Sequence, residues 1–146
     1  MSFELDYSQL VLLDAEDLAE AGIRRAYVSL LPRLCEYVPE PADVEETVDD
    51  ERATYVVSSG GQSYTVASPD IEHDSWALAT YALFRIVNDQ LRDTEYRFYA
   101  INGGNDLGGM FLTTAQAEAA RATLTGKGDW PYLPTLDEPW YGQNHD

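Results

Sequence analysis

Ala53-Thr54-Tyr55-Val56-Val57-Ser58-Ser59-Gly60-Gly61-Gln62-Ser63-Tyr64-Thr65-Val66-Ala67-Ser68 is the stretch on which the fold class turns. Its two halves, 53–58 and 62–68, are β-branched and aromatic, a composition that suits a pleated, half-buried surface. Ser59, Gly60 and Gly61 lie between them, and glycine adopts positive φ without steric cost, so the stretch reads as a β-hairpin with a tight turn. A second hairpin follows downstream. In 95–101, Tyr96, Phe98 and Ala100 alternate with Arg97, Tyr99 and Ile101; a glycine-rich link then leads to a short strand over 110–112. A further strand is expected over 9–13.

Helical spacing surrounds these hairpins. Between Asp14 and Tyr37, Leu18, Ile23, Tyr27, Leu30, Leu31 and Leu34 recur on one face, with Asp14 placed to cap the start. Gly22 and Pro32 weaken the interior, and a kink or break is expected near Pro32. A second helix opens at Asp74 or Ser75, with Trp76, Ala79, Leu83, Ile86, Val87 and Gln90 on one face. Leu78, Tyr81, Ala82 and Phe84 widen that face, which predicts a central helix packed on two sides. Thr113 followed by Gln116 forms a capping box that opens an alanine-rich helix running to about Leu124, with Gly126 as its stop. In 127–146, Trp130, Tyr132, Trp140 and Tyr141 are interleaved with Pro131, Pro134 and Pro139, an extended aromatic tail. Sequential hairpins alternating with helices predict an α+β fold. The expected form is one domain over 1–146, with an antiparallel sheet of four to five strands and three helices mainly on one face.

Charge narrows the function classes. The 146 residues carry 26 Asp and Glu against nine Lys and Arg, of which only Lys127 is a lysine, for a net charge of -17. Nucleic acid and anionic membrane surfaces are therefore not expected partners, since binding them relies on Lys and Arg meeting phosphate. A basic protein is the expected charged partner. Acids concentrate in one place: Glu36, Glu40, Asp43, Glu45, Glu46, Asp49, Asp50 and Glu51 follow one another with no base among them. Like charge this dense resists burial, so 38–51 is expected as a solvated acidic loop or an exposed edge. Cys35 is the single cysteine, which excludes an internal disulfide and suits a reducing compartment. Acids stand where a signal peptide would carry bases, so a cytoplasmic protein is expected.

Chemistry-bearing constellations are few. Gly103-Gly104-Asn105-Asp106-Leu107-Gly108-Gly109 presents two glycine pairs around an Asn-Asp, which reads as a turn with several positive φ values or as a ligand loop offering Asn105 and Asp106. It fits neither a dinucleotide fingerprint nor a phosphate loop. Asp70, Glu72, His73 and Asp74 supply an imidazole and three carboxylates in five residues, yet metal sites usually draw on more than one element, so a solvated loop is expected and no metal or cofactor. Cys35, in a helical stretch beside Leu34, is expected to be buried. No serine elbow accompanies the two histidines.

The general make-up is similar to that of small acidic bacterial proteins, among them immunity proteins that neutralise basic toxins, although no family motif matches residue by residue. The expectation drawn from all this is a non-enzymatic interaction domain. Glu45, Glu46, Asp49 and Asp50, with Trp140 and Tyr141 of the tail, are its candidate partner-binding residues. The alternatives are a ligand site or enzyme built on Asn105, Asp106 and His73, and a housekeeping domain whose acidity suits its solvent.

Overall fold

A computed structural model describes residues 6–69, 75–102, 104–124 and 130–134. Among them, four α-helices and six strands run in the order β1 (Val11–Leu12), α1 (Ala15–Glu20), α2 (Ile23–Leu34), β2 (Glu45–Asp49), β3 (Thr54–Ser59), β4 (Gln62–Ala67), α3 (Ser75–Leu91), β5 (Tyr96–Ile101), β6 (Gly108–Thr113) and α4 (Thr114–Thr123). The class is α+β and every pairing is antiparallel. Both hairpins form, but they belong to two three-stranded sheets, ordered β2-β3-β4 and β1-β6-β5, rather than to one.

The 53–68 hairpin turns at Gly60 and Gly61, with φ of 59° and 82°, and Ser59 faces Gln62 across the two-residue loop. Two successive positive φ values match the right-handed twist of the strands, and glycine carries them without strain. Tyr55, Val57 and Val66 are buried on one face of this sheet.

The other sheet is covered on both sides. Toward α3 it presents Phe98 and Ala100, and the Phe98 ring stacks on Phe84 of α3 with centroids 4.7 Å apart. On the opposite face Tyr99, Ile101, Met110 and Leu112 close over Ala117 and Ala120 of α4. The glycine pair 108–109 has a different cause from the one expected. A Cβ on Gly109 would lie 2.2 Å from Phe98 Cζ and one on Gly108 would lie 2.8 Å from Leu10 Cδ1, so close approach demands both. Among the described residues of this link, positive φ falls on Asn102, at 60°.

α3 lies between the sheets, touching β4 and β5 as well as α1 and α2. That central position explains its broad apolar surface, with Ala79, Ala82, Leu83, Phe84, Val87 and Leu91 all buried. Asn88 ties it to β5: the Phe98 N–H donates to Asn88 Oδ1 at 2.7 Å, and Asn88 Nδ2 donates to the Phe98 carbonyl at 3.1 Å. Arg97 closes the helix end by donating from Nη1 to the carbonyl of Leu91, the last residue of α3, and to that of Thr94 in the turn that follows.

The first helical segment breaks where glycine allows it. Asp14 caps α1 through Oδ1, accepting from the Glu16 and Asp17 N–H groups, and Gly22 at φ 112° separates α1 from α2. Pro32 sits inside α2 and leaves the Val28 carbonyl without its helical donor; the helix stops two residues later, at Leu34, so the interruption expected near Pro32 falls at the helix end. Cys35 is exposed at the C-cap rather than buried, because it lies one residue beyond the Ile23, Tyr27, Leu30, Leu34 stripe that faces the core. α4 carries the expected capping box, with the Gln116 N–H donating to Thr113 Oγ1 at 3.1 Å and the Thr113 N–H to Gln116 Oε1 at 2.9 Å. It ends at Thr123, and Gly126 lies outside the described residues.

The near part of the tail completes the core. Tyr132 pairs with Ala100 through two backbone hydrogen bonds of 2.7 and 3.0 Å on the free side of β5. Its buried hydroxyl donates to the Asn102 carbonyl at 2.6 Å, and burial pushes its pKa up to about 12. Residues 135–146 lie outside the described part.

A candidate acidic interface at the edge of a sheet

The acid run 36–51 folds into an anchored lead-in, an edge strand and a turn. At its start, Gln90 of α3 accepts from the Ala42 N–H at 2.8 Å and donates to the Tyr27 hydroxyl at 3.0 Å; that hydroxyl donates to the Ala42 carbonyl at 2.6 Å. Val44, 4% exposed, then plugs into the core. Beyond this anchor the chain enters β2, which among the described residues pairs with β3 only and so stands at the sheet edge. Over 45–49 the acidic segment is therefore an exposed edge, one of the two forms expected of it.

Alternation along β2 distributes its side chains. Glu46 and Val48 stand opposite Val57 and Tyr55, on the face turned toward α2; Glu45, Thr47 and Asp49 point the other way. Residues 45–48 are exposed on both faces, and Val48 keeps 63% of its surface. A groove of ≈ 790 Å³ runs between α2 and residues 41–47, with Val28 and Leu31 of α2 as apolar lining and Arg24, Asp43, Glu45 and Glu46 as charged lining. Val28 is 50% exposed there.

The four carboxylates named from the sequence do different things. Glu46 accepts a hydrogen bond from the Tyr55 hydroxyl, whose oxygen accepts the Ile23 N–H at 2.8 Å. Since Gly22 offers no capping side chain, this relay serves the first amide of α2 and sets a carboxylate near the positive end of the helix. Burial and the neighbouring carboxylate raise the Tyr55 pKa far above the ordinary phenol value. Asp49 accepts from the N–H groups of Glu51 at 3.1 Å and Arg52 at 3.2 Å, folding the turn into β3, and its carboxylate lies 3.7 Å from the Arg52 guanidinium. That pair is exposed and contributes little. Glu45 and Asp50 are exposed, with no such structural bond among the described residues. One acid of the four is thus built into the fold, one shapes a turn, and two make no structural bond among the described residues.

Of the alternative site, Asn105 and Asp106 lie among the described residues and His73 does not. Asn105 Nδ2 donates to Asp14 Oδ1 at 3.0 Å and lies 3.4 Å from Glu16 Oε1, so its amide fastens the 104–106 turn to the start of α1. Asp106 is exposed on that turn. His73, together with Asp70, Glu72 and Asp74, lies outside the described residues, as do Trp140 and Tyr141. Sequence reasoning passed over Val28, which falls off the α2 core stripe, and the Glu46–Tyr55 pairing, which depends on register and leaves no local pattern.

Comparison of the chain with protein-family models, with curated proteins and with solved structures finds no match in any of the three. Among the described residues no helix is long and apolar enough to cross a membrane.

Proposed function

We propose that this chain is a non-enzymatic interaction domain whose acidic surface around β2 engages a basic protein, an immunity protein against a basic toxin being one form of the idea. The observation that supports it is the exposed edge strand. Carboxylates that oppose folding by mutual repulsion are gathered on an element with both faces in solvent, where they speed encounter with a cationic partner and select it by sign.

The test uses the carboxylates that the fold does not need. A triple variant Glu45→Gln, Asp50→Asn, Glu51→Gln keeps Glu46 and Asp49 and so keeps the relay and the turn. Association kinetics are measured for wild type and variant against a basic binding partner isolated by pull-down, at low and at physiological salt. The expected result is a several-fold slower association for the variant and a steep fall with salt for the wild type, because exposed charges are screened beyond about 8–10 Å. Equal association rates, insensitive to salt, would leave solvent adaptation as the account of the -17 charge.

A further inference from the structure

Backbone, not charge alone, distinguishes β2 from the rest of the acidic surface. Every edge strand turns alternate N–H and C=O groups outward, a template on which another chain can pair. Such edges are commonly blunted by proline, a bulge, an inward charge or a covering loop. β2 (Glu-Glu-Thr-Val-Asp) has no proline, its register against β3 is continuous over all five residues, and its outer edge carries no pairing among the described residues. The other free edges differ: β4 carries a register shift against β3, β1 is two residues long, and β5 is covered in part by Tyr132. What guards β2 is negative charge, which repels a second copy of this chain and admits a strand of opposite sign.

Resting on the proposed function above, we infer that the basic partner is held by strand addition: an extended segment of that partner pairs with the free edge of β2. The two faces of β2 state what the segment must carry. On the outer face, Lys or Arg at alternate positions would stand beside Glu45 and Asp49, where opposite-charge cross-strand neighbours stabilise and like charges destabilise. On the α2 side, the intervening positions run alongside Val48 and over the groove in which Val28 and Leu31 are exposed or half-exposed, which calls for a β-branched or aliphatic residue. The recognised pattern is therefore basic–aliphatic alternation, with main-chain hydrogen bonds contributing affinity and the alternate side chains contributing selectivity. Glu46, held by Tyr55, borders the groove and adds a fixed negative charge at its rim.

The probe is a synthetic ten-residue peptide of alternating Lys and Val. A second peptide of the same sequence carries N-methyl groups on alternate amides, preserving charge while removing the donors that face β2. Full-length protein is titrated with each, read by heteronuclear NMR and by amide hydrogen exchange. The expected result is binding of the first peptide, slowed exchange at alternate amides within 45–49, and at least tenfold weaker binding of the N-methylated peptide in one of its two registers. Val28→Asp, on the exposed side of α2, should weaken the first peptide several-fold without altering thermal stability. Equal binding of plain and N-methylated peptides, with salt sensitivity in both, would overturn strand addition while leaving the acidic-surface reading standing. No binding by any basic peptide, in a protein whose basic partner still associates in a salt-dependent way, would overturn it as well. Self-association through β2, seen as a concentration-dependent mass lost in Val48→Lys, would assign the edge to a second copy and equally refute the inference.

Discussion

Replacing Glu46 by alanine separates a carboxylate that folds the protein from the ones that surround it. The substitution removes the acceptor of the Tyr55 hydroxyl, which still receives the Ile23 N–H but loses the outlet for its own proton. A hydroxyl left unpaired in a half-buried position costs about 1–3 kcal/mol, and a carboxylate lost from beside a helix N-terminus costs a further ~0.3–1 kcal/mol before screening. Since Glu46 itself is exposed, water recovers part of this, and about 2 kcal/mol is the expected loss. Glu45→Ala, one residue away on the opposite face, should change stability by less than about 0.5 kcal/mol, as surface substitutions do. Equilibrium urea unfolding checks both. With a slope of about 1–3 kcal/mol per molar, the midpoint should fall by roughly 1 M for Glu46→Ala and hold for Glu45→Ala. Tyr55→Phe completes a double-mutant cycle, in which a coupling of about 1 kcal/mol or more is expected. Equal midpoints for the two alanine variants, or a coupling indistinguishable from zero, would refute the relay and return Glu46 to the free acids.

Gly109→Ala should destabilise by about 1 kcal/mol, because the new methyl group overlaps the Phe98 ring and overpacking costs ~1–3 kcal/mol, offset by the ~0.5–1 kcal/mol that alanine gains over glycine in regular structure. Adding Phe98→Leu should recover part of that loss, which chemical denaturation of the two single variants and the double variant will show. Tyr132 has a raised folded-state pKa, so its contribution is complete below the ordinary phenol value of 10.0 and is lost as pH rises through about 12. Melting temperature followed from pH 9 to 12 should therefore fall less steeply in Tyr132→Phe than in wild type, while the variant is less stable near neutrality by about 1 kcal/mol for the lost hydrogen bond to Asn102.

Local signals carried most of the elements. The Gly60–Gly61 turn, the Asp14 cap and the Thr113–Gln116 box each act through a few neighbouring residues, and each appears where its residues stand. The broad apolar face of α3 likewise pointed to a helix covered on more than one side. Division into two sheets was not legible, since periodicity says which face of a strand is buried but not which strands share an edge. The same limit hid the partners of Gly109 and Glu46: Phe98 and Tyr55 reach them across a ladder whose register is a tertiary property. Pro32 marked the approach of a helix end that the apolar spacing alone carried on to Tyr37. Of the candidate site, the acids were plain in composition, whereas their division between scaffold and surface came only with the hydrogen bonds.

α3 touches both sheets, and no ladder joins one sheet to the other among the described residues. Assembly inherits an order from this. Each hairpin closes a loop of a few residues, a step that takes microseconds in isolated hairpins. Pairing Val11 with Gly109, in contrast, encloses about two-thirds of the chain for two residues of ladder, so the entropy of that closure must be met by packing already in place. The docking of both hairpins on α3 is then the natural late barrier, and β1 the last strand to join. The slowest-exchanging amides should cluster in α3 and the strands against it, with β1 and β2 opening first.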